Sequence, residues 1–208
     1  MLTLHTYYKS SASYRVRIVL NLKDIKHHKI EYDLKTDMHR QKDYLETNPQ
    51  GLVPVLEDRG KFITQSMAIM EYLEEKHPEP PILPAHIEHR AWVRSFANII
   101  ACDTHPLNNL RVLKYLGTMV FDENKILGWY HHWLKESFDA LEFMIKKSPR
   151  AGFCCLGDDI SMADICLVPQ MYNARRYSFD LSPYPLCLEK ENYLLGQKAF
   201  EKAKPAAA

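Results

Sequence analysis

The N-terminal third of the chain switches between two hydrophobic periods. Leu2 and Leu4 alternate with polar residues, apolar residues recur at helical spacing within residues 16–20, and alternation returns in residues 30–34. Alternation predicts a half-buried strand, whereas the helical spacing predicts an amphipathic helix. The pattern therefore predicts strand, helix and strand. Because a helix joins them, the two strands are expected to be parallel, with a right-handed crossover.

A second group of elements follows along the same domain. A weaker helix is predicted over residues 41–47, and two short apolar runs, 53–57 and 62–65, flank a turn and predict a β-hairpin. A helical stripe then covers residues 67–76, and Ser66 is expected to cap its N-terminus. The predicted order of elements is βαβαββα.

A proline-rich segment interrupts this pattern. Residues 77–84 contain four prolines, which neither a helix nor a central strand tolerates. Beyond it, apolar stripes at helical spacing in residues 92–100 and 127–145 predict a bundle of helices. The predicted division is a first domain over residues 1–78, a linker over 79–84 and an all-helical domain over 85–208.

Composition and charge exclude several classes of partner. The chain has 27 Lys and Arg residues against 26 Asp and Glu residues, so it has no overall attraction for nucleic acid or an anionic membrane. No segment approaches about 18 uninterrupted apolar residues, and the N-terminus lacks the pattern of a secretory leader. Neither nucleic acid nor a membrane is expected as a partner.

The cysteines and histidines favour a reducing location without a metal. The five cysteines are odd in number and lack paired spacings, which argues against a disulfide framework and for a cytoplasmic location. The ten histidines include three close pairs, but none has a carboxylate or cysteine partner at metal-site spacing. No metal site is expected.

The candidate chemistry lies in the first domain. The predicted βαβαββα order, with Val53-Pro54 leading into the third strand, is typical of a thioredoxin-like fold, in which that proline is cis. Where redox members of that fold carry two cysteines, this chain has Ser10 and Ser11, and the domain contains no cysteine. Hydroxyls at a helix N-terminus could lower the pKa of a thiol brought by a ligand. A simple capping role for both serines is the alternative.

A second polar pair, Gln65-Ser66, lies at another strand-to-helix junction. Its amide, hydroxyl and backbone N–H groups could hold a carboxylate, although it too could serve only as a cap. On a thioredoxin-like sheet this pair, the two serines and Val53-Pro54 would share one edge. A single ligand explains the three features more economically than three separate structural roles.

Other helical positions are expected to be structural or open to two interpretations. Arg15 and Arg17 are two residues apart on the first helix, so at most one is expected to face the site, and a surface or interdomain ion pair is the alternative. Arg175 is expected to be solvated. Ser161 and Asp164 have the spacing of a capping box. Pro106 is expected to lie within a long helix, and a simple proline kink is the alternative interpretation of this segment.

Four segments together resemble the zeta-class glutathione transferases, the family of maleylacetoacetate and maleylpyruvate isomerases. They are Tyr8-Lys9-Ser10-Ser11-Ala12-Ser13-Tyr14-Arg15-Val16-Arg17, Asn48-Pro49-Gln50-Gly51-Leu52-Val53-Pro54, Gln65-Ser66 and Asp164-Ile165-Cys166-Leu167-Val168-Pro169-Gln170. The resemblance covers nearly the whole chain. It implies an α/β thioredoxin-like N-terminal domain that binds glutathione, followed by an all-helical, substrate-binding domain.

The resemblance also implies roles for individual residues. Ser10 and Ser11 would be catalytic, meeting the thiolate of the cofactor glutathione. The remaining implied glutathione contacts are Gln50, Val53, Pro54, Gln65, Ser66, His105 and Asn109. The implied substrate-binding residues are Lys9, Arg111 and Arg176.

Two positions depart from the family pattern. Residue 12 is Ala where the family commonly has Cys, and Lys9 stands where an arginine is often found. Lysine keeps the positive charge but loses the bidentate recognition of a carboxylate. These departures bear on how the substrate is oriented.

The activity implied is the cis-to-trans isomerisation of maleylacetoacetate to fumarylacetoacetate in tyrosine and phenylalanine breakdown, by reversible addition of glutathione. The partner would be a small diketo acid, and the family implies a homodimer. Maleylpyruvate isomerisation and glutathione transfer to small electrophiles such as α-haloacids are the enzymatic alternatives. A non-catalytic interaction protein is another, although such a protein should have lost the ligand residues that remain here.

Overall fold

The computed structural model describes residues 1–119 and 122–205 and divides the chain into two compact units. The first unit comprises Met1–Ile82 together with the segment that starts at Gln197, and the second comprises Leu83–Gly196. The predicted division placed residues 85–208 in the helical domain. The last helix instead packs within the first unit.

The helices and strands follow the predicted order. The strands are β1 (Leu2–Thr6), β2 (His27–Glu31), β3 (Val55–Asp58) and β4 (Lys61–Thr64). The helices are α1 (Ser11–Leu22), α2 (Lys42–Thr47), α3 (Ser66–Lys76), α4 (Ile87–Asn98), α5 (Leu110–Gly117), α6 (Glu123–Lys146), α7 (Met162–Arg176), α8 (Pro185–Leu195) and α9 (Lys198–Ala203). A 3₁₀ turn (Met38–Arg40) precedes α2, and a π-helix (Ile99–Thr104) follows α4.

The first unit contains a four-stranded mixed sheet in the order β2-β1-β3-β4. β1 pairs in parallel with β2 and antiparallel with β3, and β3 and β4 form the predicted hairpin. The thioredoxin-like order is therefore confirmed. Val16, Val19 and Leu20 on α1 are fully buried, because this helix packs against α3 and α9.

Helix α9 is joined to α1 by polar as well as apolar contacts. The buried Arg17 donates from Nε to the carbonyl oxygen of Ala203 at 3.1 Å, and Asn21 donates from Nδ2 to that of Ala199 at 3.1 Å. A cation near the last carbonyls of a helix is also favoured by the helix dipole. These contacts explain why the end of the chain belongs to the first unit.

The proline-rich segment is tied to the first unit by a buried ion pair. Lys23 Nζ lies 2.8 Å from Glu74 Oε2 and donates to the carbonyl oxygens of His77 at 2.7 Å and Pro80 at 2.8 Å. Glu74 also accepts the N–H of Ile82. A buried ammonium group is tolerated only with such partners, so the pair fixes the path of the chain after α3.

The second unit is helical, as predicted, and its core follows most of the predicted stripe. Phe96, Leu134, Phe138 and Leu141 are fully buried. Leu127, also in that stripe, is 38% exposed, so the prediction fails for this residue near the start of α6. No helix among the described residues is long and apolar enough to span a membrane.

The helix expected around Pro106 is interrupted. α4 passes into the π-helix, a turn follows, and α5 begins only at Leu110. Proline lacks a backbone N–H and clashes with the preceding turn, so the chain ends one helix and starts another. The expectation of one long helix was wrong.

The capping box at the start of α7 is confirmed and is fully buried. Asp164 accepts from the N–H groups of Cys155 and Ser161 at 2.8 Å each, and from the Ser161 hydroxyl at 2.8 Å. Its side chain therefore joins the loop before α7 to the first turn of that helix.

Candidate functional site

One edge of the sheet collects the three polar segments that the sequence singled out. β1 ends at Thr6, and β3 begins at Val55, which pairs with His5 and with Thr64 at the end of β4. The loops before α1, before β3 and before α3 therefore leave the sheet at the same edge. They carry the two serines, Val53-Pro54 and Gln65-Ser66, as expected.

The two serines occupy different places at the start of α1. Ser10 is the N-cap, and its Oγ accepts the N–H of Ser13 at 3.2 Å. Ser11 is the first residue of the helix and is 2% exposed. The first N–H groups of a helix have no partner within it, and the dipole is positive there, so an anion next to these serines is stabilised.

Cysteines are absent from the unit that forms this edge. All five cysteines lie in the second unit, and all are free. Burial raises the pKa of Cys154 to about 12 and also raises the pKa of Cys155 and Cys187. The first unit itself contains no cysteine, so within that unit a nucleophilic sulfur at the serines has to come from a ligand.

The loop before β3 contains the predicted cis proline and a main-chain segment that could pair with a ligand. The Val53-Pro54 bond is cis, as predicted. The preceding carbonyl, that of Leu52, accepts from Tyr44 Oη at 2.6 Å and from Asn48 Nδ2 at 2.7 Å. Within the described part of the chain, no hydrogen bond uses the main chain of Val53. An extended peptide could pair with it in the manner of an added strand.

Gln65 has a strained backbone at the site. Its φ of 69° lies in the left-handed region, where a residue with a Cβ atom is unfavourable. Its side-chain Nε2 donates to Gln50 Oε1 at 2.7 Å, so two of the predicted ligand residues are in direct contact. Strain of this kind persists where the surrounding structure imposes it, often at binding sites.

Gln65→Gly is expected to separate this strain from binding. Glycine tolerates positive φ, so Gln65→Gly should be more stable than Gln65→Ala by about 1 kcal/mol, while both variants lose the amide and bind glutathione more weakly. Thermal unfolding and calorimetric titration of the two variants check this. Equal stability of the Gly and Ala variants would show that the backbone at residue 65 carries no significant strain.

Ser66 does not cap α3 as expected. It is the first residue of that helix, Gln65 holds the N-cap position, and the Ser66 Oγ accepts from Arg15 Nη1 at 3.2 Å. Arg15 and Arg17 are both buried, which excludes a surface ion pair for either; that at most one of them faces the site stays a prediction. Arg17 donates to the carbonyl oxygens of Tyr7 and Tyr8, so it supports the loop that leads to the serines.

The predicted substrate-binding lysine lies in the same loop. Lys9 is half-buried, and its Nζ is 5.2 Å from the centre of the Tyr8 ring. This is within the range of a cation–π contact, which orients the ammonium group without neutralising it.

The other predicted residues belong to the second unit. His105 is half-buried and follows the π-helix, whereas Asn109 is the N-cap of α5 and accepts the N–H of Arg111 at 3.1 Å. The turn that contains Pro106 separates His105 from Asn109. Arg111, the second residue of α5, is exposed.

Arg176 ends α7 with an exposed guanidinium between two aromatic rings. Its Cζ lies 5.6 Å from the Tyr172 ring centre and 5.8 Å from that of Tyr177. Arg175 is exposed, as expected, and it also forms a bidentate ion pair with Glu191, with both N–O distances at 2.6 Å. Arg176 is therefore the better placed of the two to meet an external carboxylate.

The structure adds supporting residues that the sequence analysis did not assign. Tyr44 and Asn48 fix the Leu52 carbonyl, and Arg15 contacts Ser66. Asn48 lies inside one of the segments that carry the family resemblance, so its position was a usable signal. Tyr44 had no such signal, because its role depends on a fold-dependent contact. Among the described residues there is no cluster of His, Cys, Asp and Glu arranged to hold a metal.

Comparisons with known proteins agree with this fold. Residues 4–81 match the family described as glutathione S-transferase, N-terminal domain. The maleylpyruvate isomerase of a Ralstonia species is 40% identical, over 98% of this chain and 97% of its own length. The holo structure of a maleyl pyruvate isomerase, a bacterial glutathione S-transferase of the zeta class, has a TM-score of 0.96 at 40% identity, covering 99% of this chain and 98% of that one.

A second solved structure carries ligands. The maleylacetoacetate isomerase of Methylobacterium extorquens AM1, with bound malonate and glutathione, has a TM-score of 0.95 at 34% identity, covering 98% of this chain and 96% of its own. The chain belongs to the glutathione transferase family and, within it, to the zeta class that includes these isomerases. The family that the sequence resembled is thereby confirmed.

Proposed function

We propose that this protein is a glutathione-dependent isomerase that converts a cis maleyl keto acid to its trans isomer. Maleylacetoacetate, giving fumarylacetoacetate in tyrosine and phenylalanine breakdown, is the first candidate substrate. The observation that carries the proposal is that three features meet at one sheet edge. They are the α1 N-terminus, the Val53 main chain before the cis proline and the Gln65-Ser66 pair. The zeta-class relatives support the same activity.

The residues of the first unit fit a tripeptide thiol. Gln65 and Ser66 would hold the γ-glutamyl end, Gln50 would support Gln65, and Val53 before Pro54 would pair with the cysteinyl backbone. Ser10 and Ser11 would then meet the sulfur. His105 and Asn109 are proposed as additional glutathione contacts. When bound, glutathione supplies a thiolate that adds reversibly to the electron-poor maleyl double bond, so that this bond can rotate before the thiolate leaves.

The chain's own residues have two tasks in this reaction. The serine hydroxyls and the positive end of the α1 dipole keep the sulfur deprotonated at neutral pH. Lys9, Arg111 and Arg176 are proposed to hold the substrate carboxylates and to stabilise negative charge that develops on the keto oxygen. The exposure of Arg111 and Arg176 supports this role, because a guanidinium open to solvent can accept a new anionic partner.

Maleylpyruvate is the second candidate substrate. One observation favours it: a maleylpyruvate isomerase is among the relatives with 40% identity. Both acids present similar carboxylates and differ mainly in chain length.

The setting of the enzyme is also proposed. The family supports a homodimer acting on a small diketo acid. The free state of all five cysteines supports a cytoplasmic location, where thiols stay reduced. The near balance of basic and acidic residues argues against a nucleic-acid partner.

An absorbance assay with both maleyl acids tests the proposal. The protein is expected to isomerise at least one acid only when glutathione is present, and glutathione should be recovered unchanged. S-methylglutathione is the matched control, because it keeps the peptide but has no free thiol, and it should support no turnover. Turnover without glutathione would contradict the proposal, as would consumption of one glutathione for each substrate molecule.

A further inference from the structure

A buried cation lies behind one of the proposed ligand residues. Arg15 is 1% exposed, and its Nη1 donates to the Ser66 Oγ at 3.2 Å. Ser66 itself is 6% exposed and begins α3 directly after the strained Gln65. The guanidinium of Arg15 on α1 and the hydroxyl of Ser66 on α3 therefore form a buried hydrogen-bonded pair.

The direction of this hydrogen bond is fixed by chemistry. A guanidinium only donates and stays charged in proteins, whereas a hydroxyl has one hydrogen to donate and two lone pairs. Because Arg15 fills an acceptor site of the Ser66 oxygen, the Ser66 hydrogen must be given to some other group. A charged donor also polarises the hydroxyl, which strengthens the hydrogen bond that the hydroxyl then donates.

We propose that Arg15 is a positioning residue that makes Ser66 a dedicated donor to the γ-glutamyl carboxylate of glutathione. The inference rests on the proposed function, since it assumes that this carboxylate meets Ser66. Arg15 acts through Ser66 and does not touch the ligand. It thereby sets specificity for thiols whose N-terminal group carries a free carboxylate.

A matched pair of substitutions tests the direction of the bond. Arg15→Lys keeps a charged group that only donates, whereas Arg15→Gln offers a carbonyl oxygen to which Ser66 could donate instead. Arg15→Gln is expected to weaken glutathione binding about tenfold, the effect of losing a hydrogen bond to a charged group. Arg15→Lys should stay within about threefold of the wild type, because the donor-only character is kept.

The readout is the calorimetric Kd for two ligands. The first is glutathione, and the second is γ-aminobutyryl-Cys-Gly, which keeps the amine and lacks the carboxylate. For γ-aminobutyryl-Cys-Gly, the Kd values of the Arg15→Lys and Arg15→Gln variants should differ by less than about twofold. The same small difference is expected for glutathione when both substitutions are made in a Ser66→Ala background, because coupled residues lose their effects together. If Arg15 had only a structural role, its substitution would weaken the binding of both ligands equally and would have the same effect without the Ser66 hydroxyl. Either result overturns the inference.

Two further controls keep the outcome clear. Thermal unfolding shows whether each variant is folded, and if Arg15→Gln is not, wild type and Arg15→Lys are compared instead. In that case, any loss of affinity for glutathione in Arg15→Lys should not occur for γ-aminobutyryl-Cys-Gly. An equal loss of affinity for both ligands contradicts the inference. Failure of the wild-type protein to bind glutathione at all would refute the proposed function. Binding without ligand selectivity would refute only the role of Arg15.

Discussion

Ser11→Ala is expected to raise the pKa of the thiol of bound glutathione by about one to two units. A hydrogen bond to a charged group contributes roughly 1.5–3 kcal/mol, and one pKa unit corresponds to about 1.36 kcal/mol. Ser11 is buried in the first turn of α1, and the next residue, Ala12, carries no hydroxyl. Turnover at neutral pH should fall about tenfold or more, because less of the cofactor is a thiolate.

Ser10→Ala is the matched control for this prediction. The Ser10 oxygen already caps α1 by accepting from Ser13, so its loss should cost about 1 kcal/mol of stability. Its effect on the thiol pKa is expected to be smaller than that of Ser11→Ala. Thiolate absorbance of the bound complex against pH, in both single variants and the double variant, measures the shift. An unchanged titration in all three would leave the backbone and the helix dipole as the only activators.

Asp164→Asn is expected to destabilise the second unit by about 3 kcal/mol, since it breaks a buried hydrogen-bonded carboxylate. Both carboxylate oxygens accept hydrogen bonds from the N–H groups of Cys155 and Ser161. An amide replaces one of these oxygens by an NH₂ group that faces another donor. At least one buried donor is then left without a partner.

Asp159→Asn is the control for that experiment. Asp159 is exposed in the same loop, and a surface change of this kind usually alters stability by less than about 0.5 kcal/mol. Urea unfolding of both variants gives the midpoint and slope from which the two free energies are compared. Similar midpoints for both variants would mean that the Asp164 hydrogen bonds contribute little to stability.

The elements and much of the candidate site could be predicted from local patterns. Alternation and helical spacing fix which face of each element is apolar, and the thioredoxin-like order then places three polar segments at one edge. The cis bond at Pro54 and the capping box at Asp164 followed from short motifs. These features depend on residues that are near one another in the sequence.

What could not be predicted depends on contacts between distant parts of the chain. Spacing on α1 shows that Arg15 and Arg17 point in different directions, but not that both directions are buried. Arg17 is enclosed because the chain returns to α1 far along the sequence, where the carbonyl oxygen of Ala203 accepts a hydrogen bond from Arg17 Nε. Ser66 likewise forms no cap, because it is the first residue of α3, and its hydroxyl oxygen accepts from Arg15 of α1. The positive φ of Gln65 could not be predicted from the residue type at that position.

The return of α9 to the first unit has a consequence for synthesis on the ribosome. The second unit, Leu83–Gly196, lies entirely between the two pieces of the first unit in the chain. It can therefore emerge complete while α1 still exposes the surface that α9 covers, including the guanidinium of Arg17. Domains generally fold in order of synthesis, but here the unit that begins first is finished last. Until residue 203 leaves the exit tunnel, the nascent N-terminal unit exposes Arg17 and the face of α1 that α9 later covers.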